Sequence, residues 1–453
     1  MPQAPRIDAE ALASQGSDLL AASRTQEAVE RLQQAIEGGA STPATRYKLA
    51  IGLSRLGRHR EAAESAERAF RDSTESPYVA ALDLAVRTWA VAGEPQRAVE
   101  LARDAAREDA DNLSFQNILH RAMIESGDLS AVLREAREVL KKDETNLGAM
   151  RNLAACYLKM GKLENAGYIL KQALEIRPDA ELYLLMARIR VTDQDLTGAI
   201  HYLQKAVEAH PEFIEALSAL GALYAQVGDA SAAVEELRRA IALAPGVASL
   251  YLHLGNGLRG LQQYREAEEA YRKALSIDVT LAEAHYNLGI LYLENQVAGL
   301  DPEARLQRSM DEFGEYRRTR RASSARDEEI DGFIAEAKEL IKIEQQRREE
   351  AQKQPEPADE EPQDDQGDPE DQGDPEDQGD PEDQGDPGEE PGGEVAPPAP
   401  SPPVEAPLER SPPPPALPDP TPSAAPEPAP SGEPAPATLP PPEEEPVPLP
   451  EPQ

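Results

Sequence analysis

Gly255-Asn256-Gly257-Leu258-Arg259-Gly260 satisfies G-x-G-x-x-G, the spacing with which a loop wraps a pyrophosphate. That chemistry needs a strand ahead of the first glycine and a helix opening behind it. Here the glycines fall inside a helical segment, so a phosphate site is not expected. The six histidines, His59, His120, His201, His210, His253 and His285, stand singly. None forms H-E-x-x-H or shares a zinc-type spacing with cysteine. Cys156 is the lone cysteine, so no intramolecular disulfide is available, and no neighbouring feature points to an activating base. The hexapeptide QGDPED recurs three times over 366–383, but its carboxylates lack the ligand spacing of an EF-hand loop. Nothing here supports a catalytic centre, a metal or a cofactor.

Composition divides the chain. Residues 351–453 hold 33 of the 42 prolines, 28 acidic residues and two basic ones, a net charge of −26. The first 350 residues carry −12. An acidic body argues against a general nucleic-acid binder, which needs excess Lys and Arg to displace counterions. No apolar run reaches the 18 or so residues of a membrane span. The opening MPQAPRIDAEALAS lacks the basic and apolar regions of a signal peptide, so the sequence alone predicts a cytoplasmic location.

The elements that must position any binding residue emerge from a 34-residue period. Leu220-Gly221, Leu254-Gly255 and Leu288-Gly289 are evenly spaced, and the frame opens units at Ala9, Pro43, Val79, Leu113, Leu147, Ala180, Ile214, Ala248 and Ala282. Small residues fill positions 20 and 27, as at Ala267 and Ala274. Glycine falls at position 15 in five units, and Pro178, Pro211 and Pro245 fall at position 32. The reading is a pair of antiparallel helices per unit. Glycine makes the turn between them, alanine lets them approach closely, large residues at positions 4, 11 and 24 fill the space left, and proline stops the second helix. One pair cannot bury its apolar face alone, so stacking must make the core continuous.

The pattern L-G-x-x-Y … A-x-x-x-Y/L-x-x-A … P, with pieces such as ALSALGALYAQVG and YREAEEAYRKAL, resembles the tetratricopeptide-repeat (TPR) family over residues 9 to about 300. The resemblance implies an all-α TPR solenoid of about nine helix pairs. It also implies a concave face lined by positions 2, 5, 9, 12 and 13 of each first helix. Carried onto this sequence, that face holds Arg87, Arg121 and Arg188 at position 9, Arg151 at position 5 and Lys159 at position 13. These form a basic stripe suited to an acidic peptide or helix. A second group, His253, Asn256, Arg259, Tyr286 and Asn287, lies in units 8 and 9. Leu252 stands where the family's two-carboxylate clamp has lysine, so that clamp is not expected. Segment 287–317, NLGILYLENQVAGLDPEARLQRSMDEFGEYR, is similar to the end of bacterial gliding-motility TPR lipoproteins, which implies a periplasmic or envelope setting.

The expected organisation is a TPR array over 9–325, an amphipathic capping helix over 326–350, an acidic QGDPED segment over 351–390 and a Pro/Ala-rich tail over 391–453. Ile330, Phe333, Ile334, Ala337 and Ile341 mark the apolar stripe of the capping helix. The tail offers nothing apolar to bury and is expected to be a disordered spacer. These features point to a non-catalytic scaffold for protein partners. A regulatory or substrate-recruiting subunit of a separate enzyme is the alternative.

Overall fold

A computed structural model of the chain describes residues 8–73, 78–297, 299–320 and 326–353, without the side chains of 351 and 353. The acidic and Pro/Ala-rich segments expected beyond residue 353 lie outside the described residues. Within them are nineteen helices and no strand, from α1 (Ala9–Ala21) to α19 (Arg326–Lys353). The first eighteen pair as antiparallel neighbours, and the first helix of every pair begins where the 34-residue frame opens a unit. These first and second helices are called A and B below. The last helix runs to Lys353, three residues past the expected end at 350.

The turn between helices A and B demands a left-handed residue at position 15. Gly57, Gly93, Gly127, Gly161 and Gly228 supply it, with φ between 73° and 92°. Repeats 1, 6 and 8 lack a glycine there, yet Ser23, Gln194 and Gln262 adopt φ of 58°, 61° and 60°. Backbone geometry therefore persists where the favoured residue is missing, at the steric cost a Cβ carries in this region.

Close approach between A and B is arranged by residue size. Positions 20 and 27 are buried in all eight regular repeats, from Ala28 and Ala35 to Ala267 and Ala274. Position 8 of helix A faces position 24 of helix B. Where position 8 is glycine, position 24 is large: Gly16 meets Leu32, Gly221 meets Leu237, Gly255 meets Tyr271, and Gly289 meets Phe313 in the irregular ninth repeat. A Cβ on Gly221 would lie 2.5 Å from Leu237 Cγ, and one on Gly289 2.6 Å from the Phe313 ring. Repeats 3 and 4 invert the pattern, pairing Val86 and His120 with Ala102 and Ala136, and repeat 2 sets Ala50 against Ala66, all buried. This corrects the expectation of a large residue at position 24 throughout.

Neighbouring repeats are tied by a polar bond from position 25 of one helix B to the position-11 aromatic of the next repeat. Trp89 Nε1 donates to Glu67 at 3.0 Å, Arg137 to Tyr157 at 2.9 Å, Gln204 to Tyr224 at 2.9 Å and Arg272 to Tyr292 at 2.8 Å. Trp89 is fully buried, as its place in the core pattern implies.

The far end is closed by α18 (Pro302–Thr319) and α19. Asp301 caps α18 by accepting from the Glu303 amide at 3.1 Å, and Pro302 occupies the first turn, where its missing N–H costs nothing. Helix α19 packs along α18. Ile330 and Ala337 are buried, Ile334 and Ile341 partly so, and the Phe333 ring stacks on Phe313 at 5.5 Å. Full burial of a large apolar side chain such as Ile330 contributes ~1.5–3 kcal/mol, and the partly covered ones less, which explains why the array ends on an amphipathic helix.

Repeats distant in sequence also meet. The Gly246 amide donates to the Arg55 carbonyl at 3.0 Å. Arg55 Nη2 reaches Glu212 at 3.3 Å, and its Nη1 donates to the Leu20 carbonyl at 3.2 Å. The turn of repeat 2 thus touches the end of repeat 7.

Candidate peptide-binding groove

Helices A of repeats 3 to 6 line a cleft of about 840 Å³. Its wall is built from the N-terminal halves of these helices, so side chains at positions 2, 5 and 9 converge there. Asp83, Asn117, Arg121, Asn146, Arg151 and Glu181 supply its polar surface.

The arginines are not free. Arg121 donates to Asp83 at 3.1 Å through one nitrogen and to Glu181 at 3.0 Å through another. Arg151 pairs with the same Glu181. Arg87 pairs with Asp83 at 3.1 Å. One carboxylate from repeat 6 therefore bridges arginines of repeats 4 and 5, and one from repeat 3 bridges repeats 3 and 4. Glu181 lies in the first turn of its helix, where the dipole favours an anion, and Asp179 caps that helix.

The electrostatics differ along the stripe. Burial opposes the Arg87 charge, but Asp83, Glu215 and Glu181 outweigh it and raise its pKa. Burial, and then the neighbouring Arg121, lower the pKa of Arg151 despite Glu181. Two atoms in this wall, Asn117 Oδ1 and Arg151 Nε, are buried with no hydrogen-bond partner.

Lys159 and Arg188, expected on the same stripe, do not join this cluster. Lys159 Nζ donates to the Ile124 carbonyl at 3.0 Å and pairs with Glu125 at 3.1 Å. Arg188 is exposed, with no ion pair among the described residues. The acidic members Asp83, Glu181 and Glu215 were absent from the sequence reading. Their signal was present, because they occupy positions 5 and 2 of the implied concave face.

The second group is partly absorbed into the fold. Asn256 Oδ1 accepts from the Tyr271 hydroxyl at 2.8 Å and from Asn287 at 2.9 Å. Arg259 reaches Glu294 at 3.5 Å, and burial lowers the His253 pKa. Tyr286 is engaged by the terminal helices: its ring packs near Tyr316 and Phe333, its hydroxyl reaches Glu329 at 3.4 Å, and the Arg326 guanidinium lies 5.4 Å from the ring.

The remaining chemical motifs are structural. Gly255, Gly257 and Gly260 lie on one helix, Ala248–Gly260, and give closeness to Tyr271, Val234 and Ala230. Burial pushes the Cys156 thiol up to about 11, against the opposing charge of Lys159, so it is protonated at neutral pH. Among the described residues, no cluster of three or more His, Cys, Asp or Glu side chains could hold a metal. Nor is any helix among them long and apolar enough to cross a membrane.

Antiparallel helix pairs at a 34-residue period, with a concave face lined by their first helices, define a repeat solenoid. Tetratricopeptide-repeat profiles match residues 123–189, 191–254 and 255–296, and the chain carries tetratricopeptide repeats. It is 28% identical over 152 residues to the BBSome complex member BBS4 of Bos taurus, covering 34% of this chain and 29% of that protein. It is 31% identical over 85 residues to the small glutamine-rich tetratricopeptide repeat-containing protein 2 of Mycosarcoma maydis, covering 19% and 24%. A third relative, the human protein O-mannosyl-transferase TMTC1, is 25% identical over 176 residues, 38% of this chain and 20% of that protein. The chain thus spans less than a third of the length of these relatives. Among solved structures, Cut9 with Hcn1 of the APC/C superposes with a TM-score of 0.48 at 15% identity, covering 70% of this chain and 58% of that one. YrrB, a TPR protein with an unusual peptide-binding site, gives 0.32 at 20% identity, covering 41% and 96%.

Proposed function

We propose that this chain is a non-catalytic scaffold that holds an acidic peptide or helix of a protein partner on the concave face of repeats 3 to 6. The observation that carries the reading is the cleft wall itself, where Arg121 and Arg151 of adjacent repeats converge on one carboxylate. A partner carboxylate would take its place beside Glu181 or displace it, because guanidinium groups accept more than one anion. Tetratricopeptide repeats generally mediate protein–protein interactions, and the relatives fit such a role. The reading includes neither a nucleic-acid partner nor insertion into a membrane. Support for an envelope or motility setting is confined to the resemblance of residues 287–317. The alignment with a mannosyl-transferase is what favours the second reading, a subunit that recruits substrates to a separate enzyme.

The test is affinity capture with the full chain and with Arg121→Ala/Arg151→Ala, followed by binding measurements on the captured partner. The double variant should weaken binding at least tenfold, and Arg188→Ala should change it little. Equal binding by the double variant and the parent would refute the groove assignment.

A further inference from the structure

The contact between repeats 2 and 7 has a sequence signature of its own. Gly57 and Gly246 meet back to back, and a Cβ on Gly246 would overlap the Leu56 main chain. Gly57 also needs its positive φ of 75° for the turn it occupies. Gly246 has no such need, since it is not among the positive-φ glycines. It follows Pro245 in a loop whose counterparts read Pro178-Asp179 and Pro211-Glu212. Two loops place an acidic side chain where this one places none, and the loop without it is the one pressed against another main chain. Glycine is used at 246 for close approach, not for conformation.

Arg55 anchors the other side three ways. Its carbonyl accepts from Gly246, and its guanidinium spans the Leu20 carbonyl and Glu212. Across the concave face, Arg87 of repeat 3 pairs with its own Asp83 at 3.1 Å and feels the charges of Glu215 and Glu181 from repeats 7 and 6. The charges of repeats 3, 6 and 7 therefore act on one another while repeats 2 and 7 touch.

We propose that Arg55–Gly57, closed against Glu212 and Ala244–Gly246, form a latch that ties repeat 2 to repeats 6 and 7 and opens while the repeats stay folded. The latch consists of one main-chain hydrogen bond and one partly exposed ion pair, few enough contacts to open without unfolding either repeat. The closure stands whether or not the groove takes a peptide.

Hydrogen exchange on the full chain reads the latch directly. The Gly246 amide should exchange at least tenfold more slowly, relative to its intrinsic rate, than the equivalent Asp179 and Glu212 amides. Comparable protection at the three sites would overturn the proposal. A second measurement uses spin labels on Arg60→Cys and Glu208→Cys, since buried Cys156 resists labelling. Gly246→Asp imposes the residue type that the sister loops already tolerate, so the helices should persist. The label-to-label distribution should lengthen or broaden by 5 Å or more in that variant, and less in Glu212→Gln. A distribution unchanged by Gly246→Asp at full helix content would equally defeat the latch.

Discussion

Repeats 3 and 4 and repeats 7 to 9 solve one packing problem with opposite residue sizes. In the later group a glycine on helix A accepts Leu237, Tyr271 or Phe313 from helix B. In the earlier group helix B offers only alanine, and helix A brings Val86 or His120 forward. How closely the two helices pack depends on both facing side chains, not on either one. A family pattern records the commoner half of this exchange. The profile matches begin at residue 123, inside the first helix of repeat 4, Leu113–Ser126. In repeats 3 and 4 the opposite helix fills the gap, with the fold intact.

The sharpest way to break this comparison is to empty position 24 in each group. Tyr271→Ala or Phe313→Ala should destabilise by about 3–5 kcal/mol, since glycine opposite leaves the cavity unfilled. Ala102→Gly should cost only about 1 kcal/mol, mostly through helix propensity. Urea unfolding monitored by circular dichroism measures both. Exchange of the two patterns gives a smaller and more diagnostic effect. Ala102→Leu alone overpacks against Val86 and should cost about 1–3 kcal/mol. Adding Val86→Gly should return most of that loss, giving a favourable coupling above about 1 kcal/mol in a double-mutant cycle. Strict additivity would show that positions 8 and 24 do not share one space.

The two groups agree at position 15, and the least effect is expected there. Ser23→Gly, Gln194→Gly and Gln262→Gly relieve a left-handed non-glycine residue and should each stabilise by about 0.5–1 kcal/mol, net of the greater freedom of an unfolded glycine. Melting temperatures of the three variants provide the measurement. A loss of stability in all of them would mean that the side chains make compensating contacts.

The helix frame was legible because its period is local. Leu220-Gly221 and its successors, the small residues at 20 and 27, and the prolines at 32 each act within one hairpin or between neighbours. The arginines of the groove were legible for the same reason, as members of positions 5 and 9. Their pairing was not. Glu181 lies 60 residues from Arg121, and the two meet only after the rotations of intervening repeats have accumulated. The meeting of Arg55 with Gly246 depends on still more of these small rotations. A lone glycine after proline was its trace, unreadable until the sister loops showed what it replaced. The bridge from Tyr286 to α19 escaped for another reason: the apolar stripe of α19 shows that the helix covers something, but not which side of repeat 9 it crosses.

The bond from position 25 to the next position-11 aromatic recurs at every second junction. It joins repeats 2 and 3, 4 and 5, 6 and 7, and 8 and 9. At the intervening junctions position 11 is Leu53, Met123, Arg190 or Leu258, none of which has an aromatic hydroxyl or indole to tie. In mechanical terms two of these other joints are fastened differently, by the Asp83–Arg121 pair between repeats 3 and 4 and the Glu181–Arg151 pair between repeats 5 and 6. Drawn out from its ends, such a filament parts first at a joint with neither fastening, as between repeats 7 and 8, so its elastic grain is coarser than the 34-residue period.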